Sequence, residues 1–303
     1  MITVMFSCFN GGGDLRRMLD SMARLQDPPG GWRLIAVDNA STDGSGDVMR
    51  SYADRLPITV LYEPRKGKTL ALNRALELAE GDFYIFTDDD VIVPKDWLVK
   101  WRDAADTLPG YDLFAGCINP LWPYEPPRQL LSSVNVNVLY ASHEGVREGP
   151  CSAACMHGPN MALRAAALKD GAGFEASIGP DGSLSYAMGS DTELALRLEA
   201  QGLKCWFTAG PFLEHIVPPE HLEIPWILKR GYRWGRGLAH MHLPYPCSPE
   251  SLARKNGWKR IIYPVFLPLL TRKIRLQRQW QAAVDRGYED GTRENEGCKT
   301  RWA

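Results

Sequence analysis

The sequence predicts an α/β protein with a mainly parallel sheet flanked by helices. Strand-like and helix-like patterns alternate at short spacing through residues 2–106, which is typical of βαβ units. Polar segments follow two of the predicted strands, at the position where doubly wound sheets bind their ligands. Hydrophobic residues make up 45% of the 303 residues, which is enough for a large core.

Each element of the amino-terminal part, residues 1–95, has its own local signal. Apolar runs predict four strands, at residues 2–8, 34–37, 58–62 and 83–86. A first helix, capped by Asp14, is expected to end before Pro28 because its apolar residues follow the helical period. A second helix is expected at residues 69–80. These alternating elements indicate a Rossmann-like sheet in which the loops after the strands bind a nucleotide.

Residues 96–245 have a less regular pattern and are continuous with the first part. We expect helices at residues 96–106, 165–169, 192–201 and 224–240, and strands at residues 113–118, 156–163, 204–207 and 212–217. Residues 129–141 fit either a helix or an irregular segment, whereas residues 120–127 and 171–189 are loops rich in proline or glycine. The remaining residues, 246–303, are expected to form a helical carboxyl-terminal extension.

Charge, the amino terminus and the cysteines narrow the class of protein. The net charge is −1, without the basic excess that nucleic-acid binding usually requires, so nucleic acid is not expected as a partner. The chain enters a strand pattern at Ile2 without a basic segment or a long apolar run, which predicts no signal peptide and a cytoplasmic location.

Seven scattered cysteines predict reduced thiols. Cys151, Cys155 and His157 lie close in sequence, but their spacing matches no common zinc pattern.

The most informative feature is a run of three aspartates, Asp88, Asp89 and Asp90, directly after the strand pattern at residues 83–86. Adjacent carboxylates repel one another unless a cation neutralises them, and their hard oxygens suit Mg²⁺ or Mn²⁺. Because Mg²⁺ is usually held by one or two carboxylates together with substrate phosphates, the triplet indicates a metal and diphosphate site. The alternative is an acidic turn that caps a helix beginning near Asp96, since aspartate is common at turns and helix caps.

Residues 258–270, near the carboxyl terminus, are strongly apolar and have basic residues on both sides. The segment is too short to span a bilayer, and Pro264 and Pro268 interrupt it. An apolar surface with basic flanks suits peripheral contact with an anionic membrane, here its inner face. Packing against the chain's own domain or against a partner subunit is the alternative.

Five short motifs occur in a fixed order, at residues 4–10, 37–45, 87–90, 158–164 and 189–194. In this order and at these intervals they resemble glycosyltransferase family 2, a large inverting family with the GT-A fold, over residues 2–240. The resemblance implies a nucleotide-sugar-binding half at residues 1–95 and an acceptor-binding half at residues 96–245. It also implies metal-dependent transfer of a sugar from a nucleoside diphosphate sugar to a hydroxyl acceptor. The favoured donor is a UDP-sugar, and the cofactor is Mn²⁺ or Mg²⁺. Cell-envelope polysaccharide or glycolipid synthesis is the expected setting.

The resemblance assigns roles to residues at the ends of the predicted strands. The implied nucleotide-binding residues are Ser7, Phe9, Asn10, Asp38, Arg65, Lys68, Asp88 and Asp89, and the implied metal-binding residues are Asp88, Asp90 and His215. Of the metal-binding residues, Asp90 is expected to be the direct ligand. Structural roles are the alternative for several of them, namely a core position for Phe9, a turn cap for Asp38, a solvated basic turn for Arg65 and Lys68, and a structural histidine at His215.

The motif at residues 189–194 supplies the implied catalytic base. In the family it commonly contains Glu-Asp, whose Asp deprotonates the acceptor hydroxyl; here Ser190 takes the place of the Glu and Asp191 is retained. Asp191 also fits the N-cap of the helix at residues 192–201, and one residue can hold both roles. The missing carboxylate at Ser190 is expected to affect the acceptor more than the chemistry. The resemblance places Trp226, Arg230, Trp234 and Arg236 on the acceptor side.

Two other functions share parts of this pattern. A sugar nucleotidyltransferase uses a related architecture and Mg²⁺, but residues 10–16 lack its Gly-x-Gly-Thr-Arg signature. A non-catalytic sugar-nucleotide-binding GT-A domain would have little need of a base, so the joint presence of Asp88, Asp90 and Asp191 favours an enzyme.

Overall fold

The computed structural model of the protein describes residues 1–243 and 272–299. It contains two compact units. Unit 1 comprises Met1–Leu121, Ala141–Ala176 and Ser190–Ile216, and unit 2 comprises Trp122–Tyr140, Ser177–Gly189 and the described part of Val217–Ala303. Unit 1 takes residues from both predicted halves. The predicted boundary after residue 245 lies outside the described residues, and the division into domains therefore stays a prediction.

The sheet of unit 1 begins with four parallel strands. They are β1 (Ile2–Cys8), β2 (Trp32–Asp38), β3 (Ile58–Tyr62) and β4 (Phe83–Phe86), in the order β3-β2-β1-β4. Three of them have the predicted bounds, and β2 is longer at both ends than the strand predicted at residues 34–37. Because all four are parallel, the loops after β1, β2 and β4 lie at the same edge of the sheet.

Helices join these strands. They are α1 (Gly12–Met22) after β1, α2 (Ser45–Arg50) after β2 and α3 (Lys68–Leu76) after β3. The cap predicted at Asp14 is wrong, because α1 begins two residues earlier and Gly11 occupies the cap position. The sequence does not predict α2, whose six residues are too few to show a helical period. The helix predicted at residues 69–80 ends early, at Leu76.

The second part of the sheet is mixed. Its strands are β5 (Val91–Ile92), β6 (Leu113–Leu121), β7 (Gly149–Cys151), β8 (Met161–Arg164) and β9 (Cys205–Ile216). They continue the order as β4-β8-β6-β9-β5, with β7 on β9, so that the described residues form a sheet of nine strands. The strands predicted at residues 204–207 and 212–217 are one strand, β9. Most of the strand predicted at residues 156–163 is absent from the described structure, because Gly158–Asn160 form a 3-10 turn.

The remaining α-helices of the described residues are α4 (Trp97–Thr107), α5 (Arg128–Leu131), α6 (Val136–Tyr140), α7 (Ser190–Glu199), α8 (Ile224–His240) and α9 (Arg272–Lys299). α8 has its predicted bounds, and α4 is shifted by one residue. Residues 129–141, for which the sequence fits either a helix or an irregular segment, contain the short helix α6 and all but the first residue of the short helix α5.

The central strands of the sheet of unit 1 are buried on both faces, as their nearly continuous apolar sequences require. On one face Phe6 of β1 packs in a cluster with Trp97 of α4, and both side chains are fully buried. On the other face Met5 packs in a cluster with residues of α3 and α7, among them Leu194. The α/β fold class is therefore confirmed.

Unit 2 is built around α8 and α9, which pack closely because glycines line their contact. A β-carbon at Gly235 would lie 2.0 Å from Val284 O, and one at Gly287 would lie 1.9 Å from Tyr232 O. The buried apolar side chains of this unit are Leu139, Tyr140, Val217, Leu222, Ile227, Trp280 and Val284. No helix in residues 1–243 or 272–299 is both long enough and apolar enough to cross a membrane. The apolar segment at residues 258–270 lies outside the described residues.

Replacement of Asn160 by leucine is expected to lower the free energy of unfolding by about 3 kcal/mol. The Asn160 side chain is fully buried, where its amide donates to Cys117 O at 2.8 Å and to Pro211 O at 2.7 Å. Its carbonyl accepts from Trp97 Nε1 at 3.1 Å. Leucine has a similar volume but leaves all three partners unpaired in the core.

Urea denaturation measures this loss. The exposed Asn119 of β6 provides the control, since Asn119→Leu should change the free energy of unfolding by less than about 0.5 kcal/mol. A loss below about 1 kcal/mol in Asn160→Leu would show that the buried amide is not needed to satisfy these partners.

Candidate active site

The aspartate triplet follows β4 and is held through the backbone on both sides. Before it, the Thr87 N–H donates to Met5 O at 3.0 Å and continues the pairing of β4 with β1. After it, the Ile216 N–H of β9 donates to Asp90 O at 2.8 Å. The backbone of the triplet is thus fixed to the sheet, and each of the three carboxylates contacts different neighbours.

Asp90 contacts β9. Its Oδ2 lies 3.3 Å from His215 Nε2, because Val91 and His215 are paired in the register of β5 and β9. Burial opposes the charged form of Asp90, but His215 and then Lys68 outweigh it and lower the pKa of Asp90. Asp90 Oδ1 is shielded from solvent and has no hydrogen-bond partner in the described residues. A shielded carboxylate oxygen without a donor fits a hard cation.

Asp89 contacts the turn after β1. It forms a hydrogen bond with the Cys8 thiol, and its Oδ2 lies 2.8 Å from the position that a β-carbon would take at Gly11. Burial, and next the charge of Asp90, raise the pKa of Asp89 to about 7. Burial also raises the pKa of the Cys8 thiol. The middle aspartate therefore has a different environment from Asp90.

Asp88 forms an ion pair with Lys68, the first residue of α3. The Lys68 side chain is 23% exposed and that of Asp88 is 21% exposed, so the pair is largely removed from solvent. Burial would lower the pKa of Lys68, but the charges of Asp88 and then Asp191 outweigh it and raise the pKa to about 12. Lys68 is therefore an ammonium ion at neutral pH.

Asp191 lies in the first turn of α7 and bonds outside its own helix. Its Oδ2 accepts the Gly158 N–H at 2.5 Å. The N-cap role predicted for Asp191 is wrong, because α7 begins at Ser190. A β-carbon at Gly158 would lie 3.3 Å from both Asp191 Oδ2 and Lys68 Nζ. Gly158 thus lets the carboxylate and the ammonium approach the same point, and Lys68 lies between Asp88 and Asp191.

The loops after β1 and β2 hold each other by hydrogen bonds. Asn10 has a left-handed φ of 56°, and its Oδ1 accepts the Thr42 N–H at 2.8 Å. Buried Asp38 accepts the Ser41 N–H at 2.9 Å, which is the turn-capping role. Ser7, the residue before the last in β1, is half-buried. The nucleotide-binding roles of Ser7, Asn10 and Asp38 stay predictions.

Phe9 and the basic turn after β3 differ in their partners. Phe9 is 45% exposed, and Lys66 Nζ lies 4.8 Å from the centroid of its ring. Arg65 instead pairs with buried Glu63, with Nε at 2.8 Å from Oε1 and Nη2 at 3.0 Å from Oε2. Lys66, which contacts Phe9, has no predicted role in the site. Nucleotide binding by Phe9 and Arg65 stays a prediction.

Asn39, which belongs to the motif at residues 37–45 but has no predicted site role, fixes the turn that leads to Lys68. Its buried amide donates to Arg65 O at 2.7 Å and to Glu63 O at 3.1 Å. Its carbonyl accepts the Gly67 N–H at 2.8 Å. Its only sequence signal is an amide directly after a strand, which also fits an ordinary turn.

The four residues predicted on the acceptor side belong to α8 in unit 2. Arg230 lies over the Trp226 ring, 5.3 Å from its centroid. Arg236 bonds with Ser185 O and Glu294 of the same unit. Trp234 stacks on Trp280 with the ring centroids 6.4 Å apart. Acceptor binding by these residues stays a prediction.

No group of three or more His, Cys, Asp and Glu side chains in residues 1–243 and 272–299 is arranged to hold a metal ion by itself. This applies to Asp88, Asp90 and His215, and also to the pair Cys151 and Cys155 with its neighbours. Five cysteines of the described residues are free thiols, namely Cys8, Cys117, Cys151, Cys155 and Cys205. A cation at the triplet would need further ligands, such as phosphate oxygens.

Replacement of His143 by glutamine is expected to make the protein less sensitive to acid. Burial, and next the neighbouring His157, lower the pKa of His143 from 6.5 to about 4, and its Nε2 lies 2.7 Å from Cys155 O. Between these values the unfolded chain binds the additional proton, so stability falls by up to about 3 kcal/mol as the pH falls through this window. Glutamine keeps a donor but does not titrate. The measurement is the free energy of unfolding at about pH 7 and pH 4.5; an equal loss in both proteins would contradict the prediction.

Sequence comparisons give one family match and several relatives. The sequence model described as Glycosyl transferase family 2 matches residues 3–171, more than half of the chain. The succinoglycan biosynthesis protein ExoM of Rhizobium meliloti is 26% identical over 228 residues, which are 74% of this chain and 69% of ExoM. The putative teichuronic acid biosynthesis glycosyltransferase TuaG of Bacillus subtilis is 37% identical over 98 residues, which are 30% of this chain and 39% of TuaG.

Solved structures of similar fold are glycosyltransferases as well. The mannosyltransferase PcManGT from Pyrobaculum calidifontis, in complex with GDP-Man and Mn²⁺, has a TM-score of 0.65 at 20% identity, over 96% of this chain and 86% of its own. TarS 1-349 of S. aureus, in complex with UDP, has a TM-score of 0.54 at 17% identity, over 98% of this chain and 91% of its own. At these identities the likeness shows the GT-A fold alone. The family match and the fold together show that the chain belongs to glycosyltransferase family 2.

Proposed function

We propose that the protein is an inverting, metal-dependent glycosyltransferase that moves a sugar from a nucleoside diphosphate sugar to a hydroxyl acceptor. The observation that carries the proposal is the approach of Asp191 and Lys68 to the same point at Gly158, with Asp88 bound to Lys68 on its other side. A carboxylate that can take a proton therefore lies next to a charged cluster that can hold a diphosphate.

Asp191 is the proposed general base. Its carboxylate removes the acceptor proton while the acceptor oxygen attacks the anomeric carbon from the face opposite the departing nucleotide. A single displacement of this kind inverts the anomeric configuration and needs no covalent intermediate. The Gly158 N–H, which donates to Asp191 Oδ2 at 2.5 Å, holds the carboxylate in place.

Asp88 and Asp90 would hold the cation, with His215 beside Asp90. The shielded Oδ1 of Asp90, which has no donor in the described residues, supports this role. When bound, Mn²⁺ or Mg²⁺ neutralises charge that develops on the departing diphosphate. Because no complete metal centre is found among the described residues, the proposed cation would also need ligands from the diphosphate. The complex of PcManGT with GDP-Man and Mn²⁺ also supports a cation.

A UDP-sugar is the proposed donor, and a GDP-sugar is the second candidate. TarS 1-349 has been solved with UDP and with UDP-GlcNAc, whereas PcManGT was solved with GDP-Man. Exposed Phe9 offers a flat apolar surface for the base, and Asp38 offers a carboxylate for a base N–H or a ribose hydroxyl. The other residues of the proposed nucleotide side are Ser7, Asn10, Arg65, Lys68, Asp88 and Asp89.

Cell-envelope polysaccharide or glycolipid synthesis is the proposed setting. The names of ExoM and TuaG, which refer to succinoglycan and teichuronic acid biosynthesis, support it. A cytoplasmic location with contact on the inner face of the membrane, through residues 258–270, is part of the proposal. The family match favours sugar transfer over nucleotidyl transfer.

The test is a panel of UDP- and GDP-sugars measured with Mn²⁺, with Mg²⁺ and with a chelator. Calorimetry measures donor binding, and release of the nucleoside diphosphate measures slow hydrolysis. Proton NMR at early times identifies the anomer of the released sugar, which should be inverted. Metal-dependent binding of one donor supports the proposal. If no sugar nucleotide binds with either metal, or if the released sugar retains its configuration, the proposal is wrong.

A further inference from the structure

Lys68 joins two parts of the site that the proposed mechanism uses separately. Its ammonium pairs with Asp88, a proposed cation ligand, and approaches the point at Gly158 where the proposed base Asp191 also lies. We propose that Lys68 is the resident counter-ion of Asp88 and that it makes divalent-cation binding depend on the nucleoside diphosphate. The inference rests on the proposed function, since it concerns the cation and donor of that same site.

The backbone places the Lys68 ammonium at Asp88. Gly67, directly before it, donates its N–H to the buried Asn39 side chain at 2.8 Å. Thr69, directly after it, is buried in the first turn of α3. The backbone of Lys68 is therefore fixed on both sides. Its side chain, which is largely buried, extends toward Asp88 and has less freedom than that of an exposed lysine.

The other cations of the basic turn have different partners. Arg65 pairs with Glu63, and Lys66 lies over the Phe9 ring. Of the three basic residues at 65, 66 and 68, Lys68 is the one whose ion pair reaches the aspartate triplet in the described structure. The charge at Asp88 is therefore already balanced by the chain itself.

Two cations cannot share one carboxylate at close range without repulsion, and the repulsion is strong where solvent is largely excluded. Without a diphosphate, a divalent cation that binds Asp88 either displaces the ammonium or binds beside it against the repulsion of the two charges. With a diphosphate present, the ammonium gains a new anionic partner in the phosphate oxygens. Lys68 therefore weakens cation binding in the free protein and loses that effect when the nucleotide binds, which is a positive coupling between the two ligands.

The competing explanation is a structural ion pair. If Lys68 only supports the fold, its removal should leave cation binding unchanged or make it weaker, because the loop would loosen. If Lys68 competes for Asp88, its removal should make cation binding tighter in the absence of nucleotide. The two explanations thus predict opposite signs.

The experiment measures free Mn²⁺ by electron paramagnetic resonance with the full-length protein, in the absence and presence of UDP or GDP. Lys68→Gln should bind Mn²⁺ about tenfold more tightly than wild type without nucleotide, because one positive charge is removed from the site. Lys68→Arg keeps the charge and should stay near wild type. Arg74 of α3 forms an exposed ion pair with Glu77. Arg74→Gln removes its charge, and its Mn²⁺ affinity should also stay near that of wild type. The factor by which the nucleotide strengthens Mn²⁺ binding should fall at least about fivefold in Lys68→Gln.

The Asp90→Asn variant separates failure of this inference from failure of the proposed function. If wild type binds Mn²⁺, Asp90→Asn does not, and Lys68→Gln binds no more tightly than wild type, the counter-ion role is wrong and the proposed cation site stands. If wild type binds no Mn²⁺ even with nucleotide, both are wrong. Circular dichroism and the melting temperature show whether each variant is folded, and Lys68→Arg tests the charge in a side chain of similar length.

Discussion

Replacement of Asp191 by asparagine is expected to lower the rate of sugar transfer about a thousandfold and to leave nucleotide binding unchanged. The amide has the shape of the carboxylate, and its oxygen can still accept the Gly158 N–H that lies 2.5 Å from Asp191 Oδ2. It cannot accept the proton of the acceptor hydroxyl. The measurement is the single-turnover rate with the donor identified in the panel, together with calorimetric binding of the nucleoside diphosphate.

Glu193 provides the matched control for Asp191. It lies in the same first turn of α7 and pairs with Arg197, with its Oε1 at 2.8 Å from Arg197 Nε. Glu193→Gln removes one negative charge from this turn without removing the proposed base, so the rate should change less than about fivefold. Similar losses in both variants, or a rate in Asp191→Asn above about a tenth of wild type, would show that Asp191 is not the base.

The sequence predicts those parts of the fold that have local causes. The strands at Ile2–Cys8, Ile58–Tyr62 and Phe83–Phe86 and the helix at Ile224–His240 have their predicted bounds, because apolar periodicity marks them within a single segment. The single strand β9 is not predicted, since Gly210 and Pro211 resemble a break between two strands. Pairing with β6 through a register shift accommodates them, and this pairing is a contact between distant segments.

The candidate site shows the same limit. The acidic residues stand in recognisable motifs, so the sequence indicates Asp88, Asp90 and Asp191 as a group. Their partners do not follow from local sequence. Lys68 pairs with Asp88 across twenty residues, and Lys66 contacts Phe9 from a loop more than fifty residues away. Only the arrangement of β1, β3 and β4 in one sheet brings these residues together.

Replacement of Asp90 by asparagine is expected to abolish measurable Mn²⁺ binding and to lower transfer about a thousandfold. Asp90 Oδ1 is shielded from solvent and has no donor in the described residues, whereas Oδ2 lies 3.3 Å from His215 Nε2. An amide oxygen is a weaker ligand for a hard cation than a carboxylate, and the charge that should balance the metal is lost. Without the cation, the charge that develops on the departing diphosphate is neutralised less completely. Electron paramagnetic resonance of free Mn²⁺ and the single-turnover rate measure the two losses.

Asp89 gives the sharpest comparison, because it precedes Asp90 directly and carries the same functional group. Asp89 contacts Cys8 and lies against Gly11 in the turn after β1, and its contacts differ from those of Asp90. Asp89→Asn should therefore weaken Mn²⁺ binding less than about tenfold, since it removes nearby charge but no proposed ligand. If the two variants lose Mn²⁺ binding equally, the triplet acts through its total charge and Asp90 has no special role as a ligand. If Asp89→Asn alone loses binding, the middle carboxylate holds the cation, and the assignment of Asp90 as the direct ligand is wrong.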